Sequence, residues 1–184
     1  PDDTVLQIYA GTSPATAFMG GVAALIRNFL YSIPSKYYIP AGELYAHLIV
    51  LGQTAYPFAD DSGAGRAVMP PPTACVVSGI AHVGQGVMQE VPVDFDLDPG
   101  VSAIFDAAIW WPEDSFQAHS DVDLYAIRPT GGSGDVSFST DSVFERTRVT
   151  VNSSGEWKLG IYGYDVPAGT QTVYYAAYVY PATC

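Results

Sequence analysis

After residue 75, apolar and polar residues alternate in short runs, and turn residues separate each run from the next. The turns carry sequences such as DPG, PED, PTGGSG and NSSG. Short strands at this spacing, with few helix signals, predict an antiparallel β-sandwich or jelly roll. The predicted strands cover 91–97, 101–111, 121–127, 136–138, 143–151, 156–162 and 172–180.

The first forty residues follow another pattern. Residues 5–9 form a short apolar run that predicts a strand, and 15–31 are almost entirely small or apolar. The second run predicts a buried helix, with Ser13 as its N-cap. Gly20 and Gly21 lower helix propensity, so we expect another backbone to pack closely against them.

A second helix is predicted over 41–52. Leu44, Leu48 and Leu51 are three and four residues apart, which places them on one helical face. The sequence MPPP at 69–72 excludes regular helix and central strand, and we place a domain boundary there. The predicted domains are therefore 1–70 and 71–184, in a mainly β protein with two helices before the sandwich.

Charge and composition exclude several classes of partner. The chain has 184 residues, 48% of them hydrophobic, and its formal net charge is −12. Nucleic acid and anionic membrane surfaces both require basic patches, so we predict neither as a partner. The chain opens with PDDT rather than a signal peptide, and no apolar run reaches the length of a membrane span.

The chain has two cysteines, Cys75 and Cys184. Their spacing matches no zinc-binding pattern. A disulfide between them would tie the last residue to the middle of the chain, and two free thiols are equally compatible with the sequence.

The start of the first predicted helix carries a motif. Gly11-Thr12-Ser13, Ala15-Thr16, Gly21 and 23–25 resemble, in order and spacing, the nucleophile motif of subtilisin-like serine proteases. The resemblance implies that Ser13 is the nucleophile. It also implies that the backbone N–H groups at the helix start, around Thr12 and Ser13, help to hold an oxyanion. The two helices then look like the end of an α/β catalytic domain.

Two departures from the family pattern affect this interpretation. Ala17 stands where the family usually has Pro, and the family's triad Asp and His precede the serine. Here His47, His82 and His119 all follow Ser13. The resemblance therefore implies the C-terminal part of a secreted endopeptidase that cleaves protein or peptide substrates. An upstream fragment would supply Asp and His as its partner, and this chain alone would be inactive.

Two other functions are compatible with the sequence. The first is a non-enzymatic extracellular structural or assembly subunit, a protease remnant that forms homo-oligomers or filaments through 5–31. The second is a carbohydrate-binding sandwich, because Tyr174, Tyr178 and Tyr180 alternate onto one face of a predicted strand.

Two further sites are predicted in the sandwich. Asp114, Asp121 and Asp123 flank one predicted loop, and carboxylate oxygens suit a structural Ca²⁺ ion. The peptide hydrolysis that the protease resemblance implies requires no cofactor. Asn152-Ser153-Ser154 fits the acceptor pattern for N-glycosylation in a secreted protein.

Overall fold

The computed structural model describes residues 12–33, 36–58, 63–71, 73–114 and 118–184. The chain divides into two compact units, 1–39 and 40–184. The first unit contains the helix α1 (Thr12–Tyr31). The strand predicted over 5–9 lies outside the described residues.

The second unit contains a helix and eight strands. The helix is α2 (Ala41–Val50), and all strand pairs are antiparallel. The strands are β1 (Cys75–Val83), β2 (Met88–Phe95), β3 (Ala103–Trp110), β4 (Asp121–Ile127), β5 (Ser133–Ser137), β6 (Phe144–Val151), β7 (Gly155–Asp165) and β8 (Gln171–Tyr180).

These strands form two four-stranded sheets. Sheet I has the order β1-β8-β3-β6, and sheet II has the order β2-β7-β4-β5. This is the strand order of a jelly roll, in which the chain passes repeatedly from one sheet to the other. The predicted fold class, a mainly β sandwich preceded by two helices, is confirmed.

The core lies between the inner faces of the two sheets. Phe105 on β3 and Trp157 on β7 pack across the interface, with ring centroids 5.7 Å apart. Alternation along each strand supplies the remaining apolar side chains, because successive residues of a strand point to opposite faces. Among them are Ile109, Val122, Leu124, Leu159, Ile161, Val173 and Val179.

The sequence pattern missed β1. Small residues interrupt its alternation, and two of them have structural reasons to be small or polar. A Cβ atom at Gly79 would approach the Tyr175 hydroxyl to 2.8 Å. Ser78, on the other face, donates a hydrogen bond of 2.6 Å to the Glu43 carboxylate.

Helix α2 packs on the outer face of sheet I, chiefly against β8 and β3. Gly42 has no side chain because a Cβ atom there would overlap the ring of Tyr174. The residues it buries include Glu43 and His47, and His47 Nδ1 hydrogen-bonds with the Tyr178 hydroxyl. The buried face is therefore partly polar, and it differs from the leucine face that the sequence suggested.

Arg146 on β6 joins the end of α2 to sheet I. Its guanidinium donates two parallel hydrogen bonds to Asp106 on β3, at 2.9 and 2.8 Å. It also donates to the carbonyl oxygens of Val50, Gly52 and Thr54, at 2.8, 2.9 and 3.1 Å. The Val50 carbonyl at the C-terminus of α2 has no partner within the helix, and Arg146 satisfies it together with two carbonyls of the segment that follows.

The division into units differs from the predicted boundary after residue 70. Helix α2 belongs to the same unit as the sandwich because its buried face lies on sheet I. Residues 69–71 of the MPPP run lie outside the helices and strands, but they do not separate two units.

Helix α1, taken by itself, differs from the predicted buried helix. Phe18 is 62% exposed and Leu25 58% exposed. Among the described residues, nothing lies within 4 Å of a Cβ atom built at Gly20 or Gly21. The close backbone contact expected at these glycines is therefore absent from the described part of the chain.

Cys75 and Cys184 form a disulfide across 109 residues of chain. The bond anchors the C-terminal residue at the start of β1. Nearby, Thr183 and Asp96 exchange two backbone hydrogen bonds of 2.9 and 3.1 Å. The bond and this backbone pairing hold the final segment against both sheets.

We expect the double variant Cys75→Ala/Cys184→Ala to lose about 4 kcal/mol of unfolding free energy. The reason is that the crosslink restricts the unfolded chain over a long loop. Urea denaturation measures the loss. Reductant should destabilise the wild-type protein to a similar extent and leave the variant unchanged, and a variant as stable as the oxidised wild type would contradict this expectation.

We expect Arg146→Met to lower the unfolding free energy by about 4 kcal/mol, because it leaves the buried Asp106 carboxylate without its partner. The matched control is Arg148→Met on the same strand. Arg148 is partly exposed, and its Nε lies 3.5 Å from Asp106, so we expect a loss below about 1 kcal/mol. Equal losses for the two variants in urea denaturation would show that Arg146 has no special role in attaching α2 to sheet I.

Candidate functional site

Ser13 is the second residue of α1, and it is exposed. The helix begins at Thr12, so Ser13 lies in the first turn rather than at the N-cap. Each histidine has another hydrogen-bond partner: His47 has Tyr178, His82 has Thr172 at 3.2 Å, and His119 has Glu113 at 2.8 Å. None of these described bonds supplies Ser13 with a general base.

The structure separates the three aspartates of the predicted calcium site. Asp121 and Asp123 are buried on β4, whereas Asp114 is exposed in the loop before it. Burial raises the pKa of both β4 carboxyls, and the charge of Asp121 raises that of Asp123 further. Among the described residues, no group of three or more His, Cys, Asp or Glu side chains could hold a metal ion. The calcium site stays a prediction.

Asn152 is exposed in the turn between β6 and β7. The hydroxyl of Ser154, the third residue of the acceptor triplet, accepts a hydrogen bond of 2.8 Å from the backbone N–H of Leu97. Glycosylation of Asn152 stays a prediction.

The row of tyrosines on β8 is not an exposed surface. Tyr178 is almost fully buried on the face of sheet I that α2 contacts, and Tyr174 and Tyr180 are half-buried. The structure therefore assigns these three rings mainly to packing.

A large cavity lies instead where β5 and β6 meet, at the edge of the sandwich. We call it the edge cleft. Its volume is about 760 Å³, within the range of small-molecule sites. It is lined by Ala55, Tyr56, Pro57, Asp135, Val136, Ser137, Phe138, Ser139, Thr140, Arg146 and Arg148.

The edge cleft combines one exposed aromatic ring with many polar groups. Phe138, directly after β5, is 74% exposed. Hydroxyls come from Tyr56, Ser139 and Thr140, among others, and charged groups come from both β5 and β6. An apolar ring beside a few polar groups in a cavity of this size is the composition of a small-molecule site.

Side chains of β5 close the seam with β6. Both strands are at the edge of their sheets, so their outer N–H groups lack a strand partner. Ser137 Oγ accepts a hydrogen bond of 3.3 Å from the backbone N–H of Arg146. Asp135 Oδ2 accepts one of 2.9 Å from the backbone N–H of Arg148. The seam is thus held by side chains, which leaves room for a cavity.

Residues 55–57, which precede β1 in the chain, form one wall of the cleft. An aromatic cluster holds this wall in place. Tyr56 contacts Phe58 edge-on, with ring centroids 5.3 Å apart. Phe58 stacks on Phe144, at the start of β6, with a centroid distance of 5.6 Å. These contacts fix the position of the Tyr56 hydroxyl relative to β6.

Glu145 lies directly behind this wall. Its side chain points between the sheets and is fully buried. Its carboxylate accepts a hydrogen bond from the Ser137 hydroxyl and a longer one, at 3.2 Å, from Ser142, whose hydroxyl also donates to the Phe144 carbonyl oxygen at 2.5 Å. The Tyr56 hydroxyl is also near enough to affect the pKa of Glu145. Burial raises the pKa of Glu145 to about 7, against the opposing effect of these three hydroxyls. Burial and the charge of Glu145 in turn raise the pKa of Tyr56.

The sequence carried a signal for Glu145 that pattern analysis passed over. Val149 and Val151 belong to the core side of β6. Counting back in steps of two places Thr147 and Glu145 on the same inner face. A glutamate at an inward position is unusual enough to mark a candidate functional residue.

Comparison with known proteins returned little. No family model matches the chain, and no curated protein matches it. Among solved structures, the chain is similar to PliG of Aeromonas hydrophila, a periplasmic inhibitor of g-type lysozyme. The similarity has a TM-score of 0.39 and 7% identity, and it covers 61% of this chain and 92% of that chain.

The protease interpretation is wrong. No family model, that of the subtilisin-like proteases included, matches the chain. The nucleophile motif match covers only about fifteen residues, on an exposed helix turn without a described base. Ser13 as nucleophile, the endopeptidase activity and the upstream fragment with its peptide substrates are therefore withdrawn.

The alternative built on the same idea, an assembly subunit that forms homo-oligomers through 5–31, is wrong for the same reason. It derived from a protease remnant, and no protease family model matches the chain. Residues 5–11 of that segment also lie outside the described residues.

Two observations bear on the compartment. Disulfides such as Cys75–Cys184 persist outside the reducing cytosol, in the periplasm or beyond the cell. Neither of the helices in the described residues is both long and apolar enough to cross a bilayer.

Glu145→Gln should change how stability depends on pH. Between about pH 4.5 and 7 the folded wild-type protein keeps a proton on Glu145 that the unfolded chain has lost. Its stability therefore falls as pH rises through this window. The glutamine variant lacks this titration, so from pH 4.5 to 8 it should gain about 3 kcal/mol relative to the wild type.

Urea denaturation at pH 4.5, 6 and 8 measures this difference. Glu156→Gln is the control, because Glu156 is an exposed residue of β7. If the Glu145→Gln and wild-type curves remain parallel over the whole range, Glu145 has an ordinary pKa.

Proposed function

We propose that this chain is a non-catalytic carbohydrate-binding domain that acts outside the cytosol, with the edge cleft as its binding site. The observation that carries the proposal is the exposed Phe138 ring beside a cavity of about 760 Å³ lined by hydroxyls and charged groups. This site differs from the buried tyrosine row on β8.

The chemistry of a sugar ring matches this combination. One face of a pyranose presents C–H bonds, which pack against an aromatic ring, and its edges present hydroxyls. Aromatic rings contribute large apolar contact areas in a fixed orientation. A few placed polar groups then determine which sugar is bound.

Suitable polar groups surround Phe138. Asp135 accepts and Arg148 donates hydrogen bonds, and the side chains of Ser139 and Thr140 do both. The Asp135 carboxylate is already positioned by the hydrogen bond that it accepts from the backbone N–H of Arg148. A sugar hydroxyl that bridges a carboxylate and a guanidinium would make two charge-assisted hydrogen bonds.

The finer location that we propose is the cell exterior. The net charge of −12 and the scarcity of lysine are common in secreted proteins, and the disulfide is compatible with that location. Structural calcium at Asp114, Asp121 and Asp123 and a glycan at Asn152 would both be consistent with it.

A glycan array, followed by calorimetry with the glycans that bind, tests the function. We expect binding to oligosaccharides and about ten-fold weaker affinity for Phe138→Ala, because the stacking surface is lost. Phe138→Trp should retain or improve binding.

Tyr164→Ala is the matched control. Tyr164 lies near the end of β7 and is 60% exposed, but it does not line the cleft. Its affinity should equal that of the wild type. Absence of binding to every glycan, or equal losses for the Phe138 and Tyr164 variants, would overturn the proposed site.

A further inference from the structure

Glu145 requires an explanation beyond folding. It is fully buried, and within the described part of the chain no lysine or arginine forms an ion pair with it. Burying a carboxylate without a counter-ion is unfavourable, and an apolar residue would pack in that place without this cost. The three hydroxyls around it therefore indicate a role that depends on the carboxyl group.

Two of those partners belong to the edge cleft. Tyr56 and Ser137 both line the cavity, Ser137 donates a hydrogen bond to Glu145, and the Tyr56 hydroxyl lowers the pKa of Glu145 from nearby. Ser137 is fixed in direction, because its oxygen accepts from the backbone N–H of Arg146 while its own hydrogen points to Glu145. The ionisation of Glu145 therefore determines the orientation of hydroxyls in the cleft wall.

Three other elements approach Glu145, and two of them carry charged or titratable groups. Tyr56 approaches from the segment before β1, and Asp123 on β4 adds a negative charge. The β5–β6 turn supplies only the neutral Ser142. Arg146, the next residue on β6, points to the opposite face of the strand, where it binds Asp106. No cation compensates for the carboxylate from these directions.

We propose that Glu145 is a positioning residue that makes ligand binding in the edge cleft depend on pH. This inference rests on the proposed carbohydrate-binding function. When Glu145 is ionised, it accepts the hydrogen bond from Ser137 and favours a Tyr56 hydroxyl whose hydrogen points toward it, so the Tyr56 oxygen keeps lone pairs available to hydroxyl donors of a sugar. When Glu145 is protonated, one carboxyl oxygen becomes a donor, and the hydroxyl facing it must turn its own hydrogen away.

The ionised form of Glu145 holds the hydroxyls of the cleft wall in one orientation, and the protonated form does not. A preorganised site binds more tightly because less freedom is lost on binding. With a pKa of about 7, the ionised fraction falls roughly ten-fold from pH 8 to pH 6. If only that form binds, the affinity falls by about the same factor.

The first test needs no sugar. Carbon-13 NMR of the glutamate carboxyl groups between pH 4 and 9 reports the titration of Glu145 directly. We expect a midpoint near 7, and backbone amide shifts of Phe138, Ser139 and Thr140 with the same midpoint. These amide shifts should disappear in Glu145→Gln. A midpoint near 4.5, or cleft amides that do not follow Glu145, would overturn the coupling.

The second test measures affinity for three probes, namely xylohexaose, cellohexaose and chitohexaose, by calorimetry at pH 6, 7 and 8. We expect about ten-fold weaker binding at pH 6 for the wild type and a flat profile for Glu145→Gln. His82→Asn replaces an exposed histidine that does not line the cleft, and it should retain the wild-type profile.

The outcomes separate the two proposals. If none of these probes and no array glycan binds at any pH, the proposed function fails, and this inference fails with it. If a probe binds equally at pH 6 and 8, or if Glu145→Gln keeps the pH dependence, only the role of Glu145 is overturned. Glu145→Asp retains a carboxyl group and should restore a pH-dependent profile.

Discussion

The bond between Arg146 and Asp106 is the interaction on which the arrangement of the second unit depends. It is buried, bidentate and formed between neighbouring strands of sheet I. The same guanidinium satisfies main-chain oxygens at the end of α2. Without it, a charged aspartate would remain on an otherwise covered sheet face, and the helix would lose the partner for its final turn.

Strand β6 carries two different roles on its two faces. Arg146 points outward and holds α2, whereas Glu145 points inward toward the hydroxyls behind the edge cleft. Adjacent strand residues always point to opposite faces, so one dipeptide serves both without competition. The backbone N–H of Arg146 also contacts Ser137. A displacement of β6 would therefore affect the helix attachment and the cleft wall together.

The sequence was sufficient for the sandwich but not for its polar contacts. Alternation located β4 over 121–127, and the predicted helix start at residue 41 agrees with α2. It failed at β1, where Ser78 and Gly79 are dictated by neighbours that the local pattern does not contain. Asp106 and Arg146 are forty residues apart in the chain, so nothing local identifies them as partners. The two-residue period of β6 does place Glu145 on the inward face, so its position could be predicted from the sequence.

The protease resemblance failed for a different reason. Gly-Thr-Ser followed by small apolar residues is also what an ordinary helix start contains, because Ser and Thr satisfy free N–H groups and small residues favour helix. The motif carried no information about a base. The cleft at the β5–β6 seam escaped the sequence because tertiary structure brings residues 55–57 to 135–148.

The order of strands has a consequence for how the protein is made. The last two strands, β7 and β8, occupy central positions, each between two neighbours. Only the pairs β3–β6 and β4–β5 can form before they are synthesised. A chain emerging from the ribosome therefore keeps β1 and β2 without their strand partners until β8 and β7 have been synthesised. Neither sheet can close before then, and the nascent polypeptide must remain protected from aggregation in the meantime.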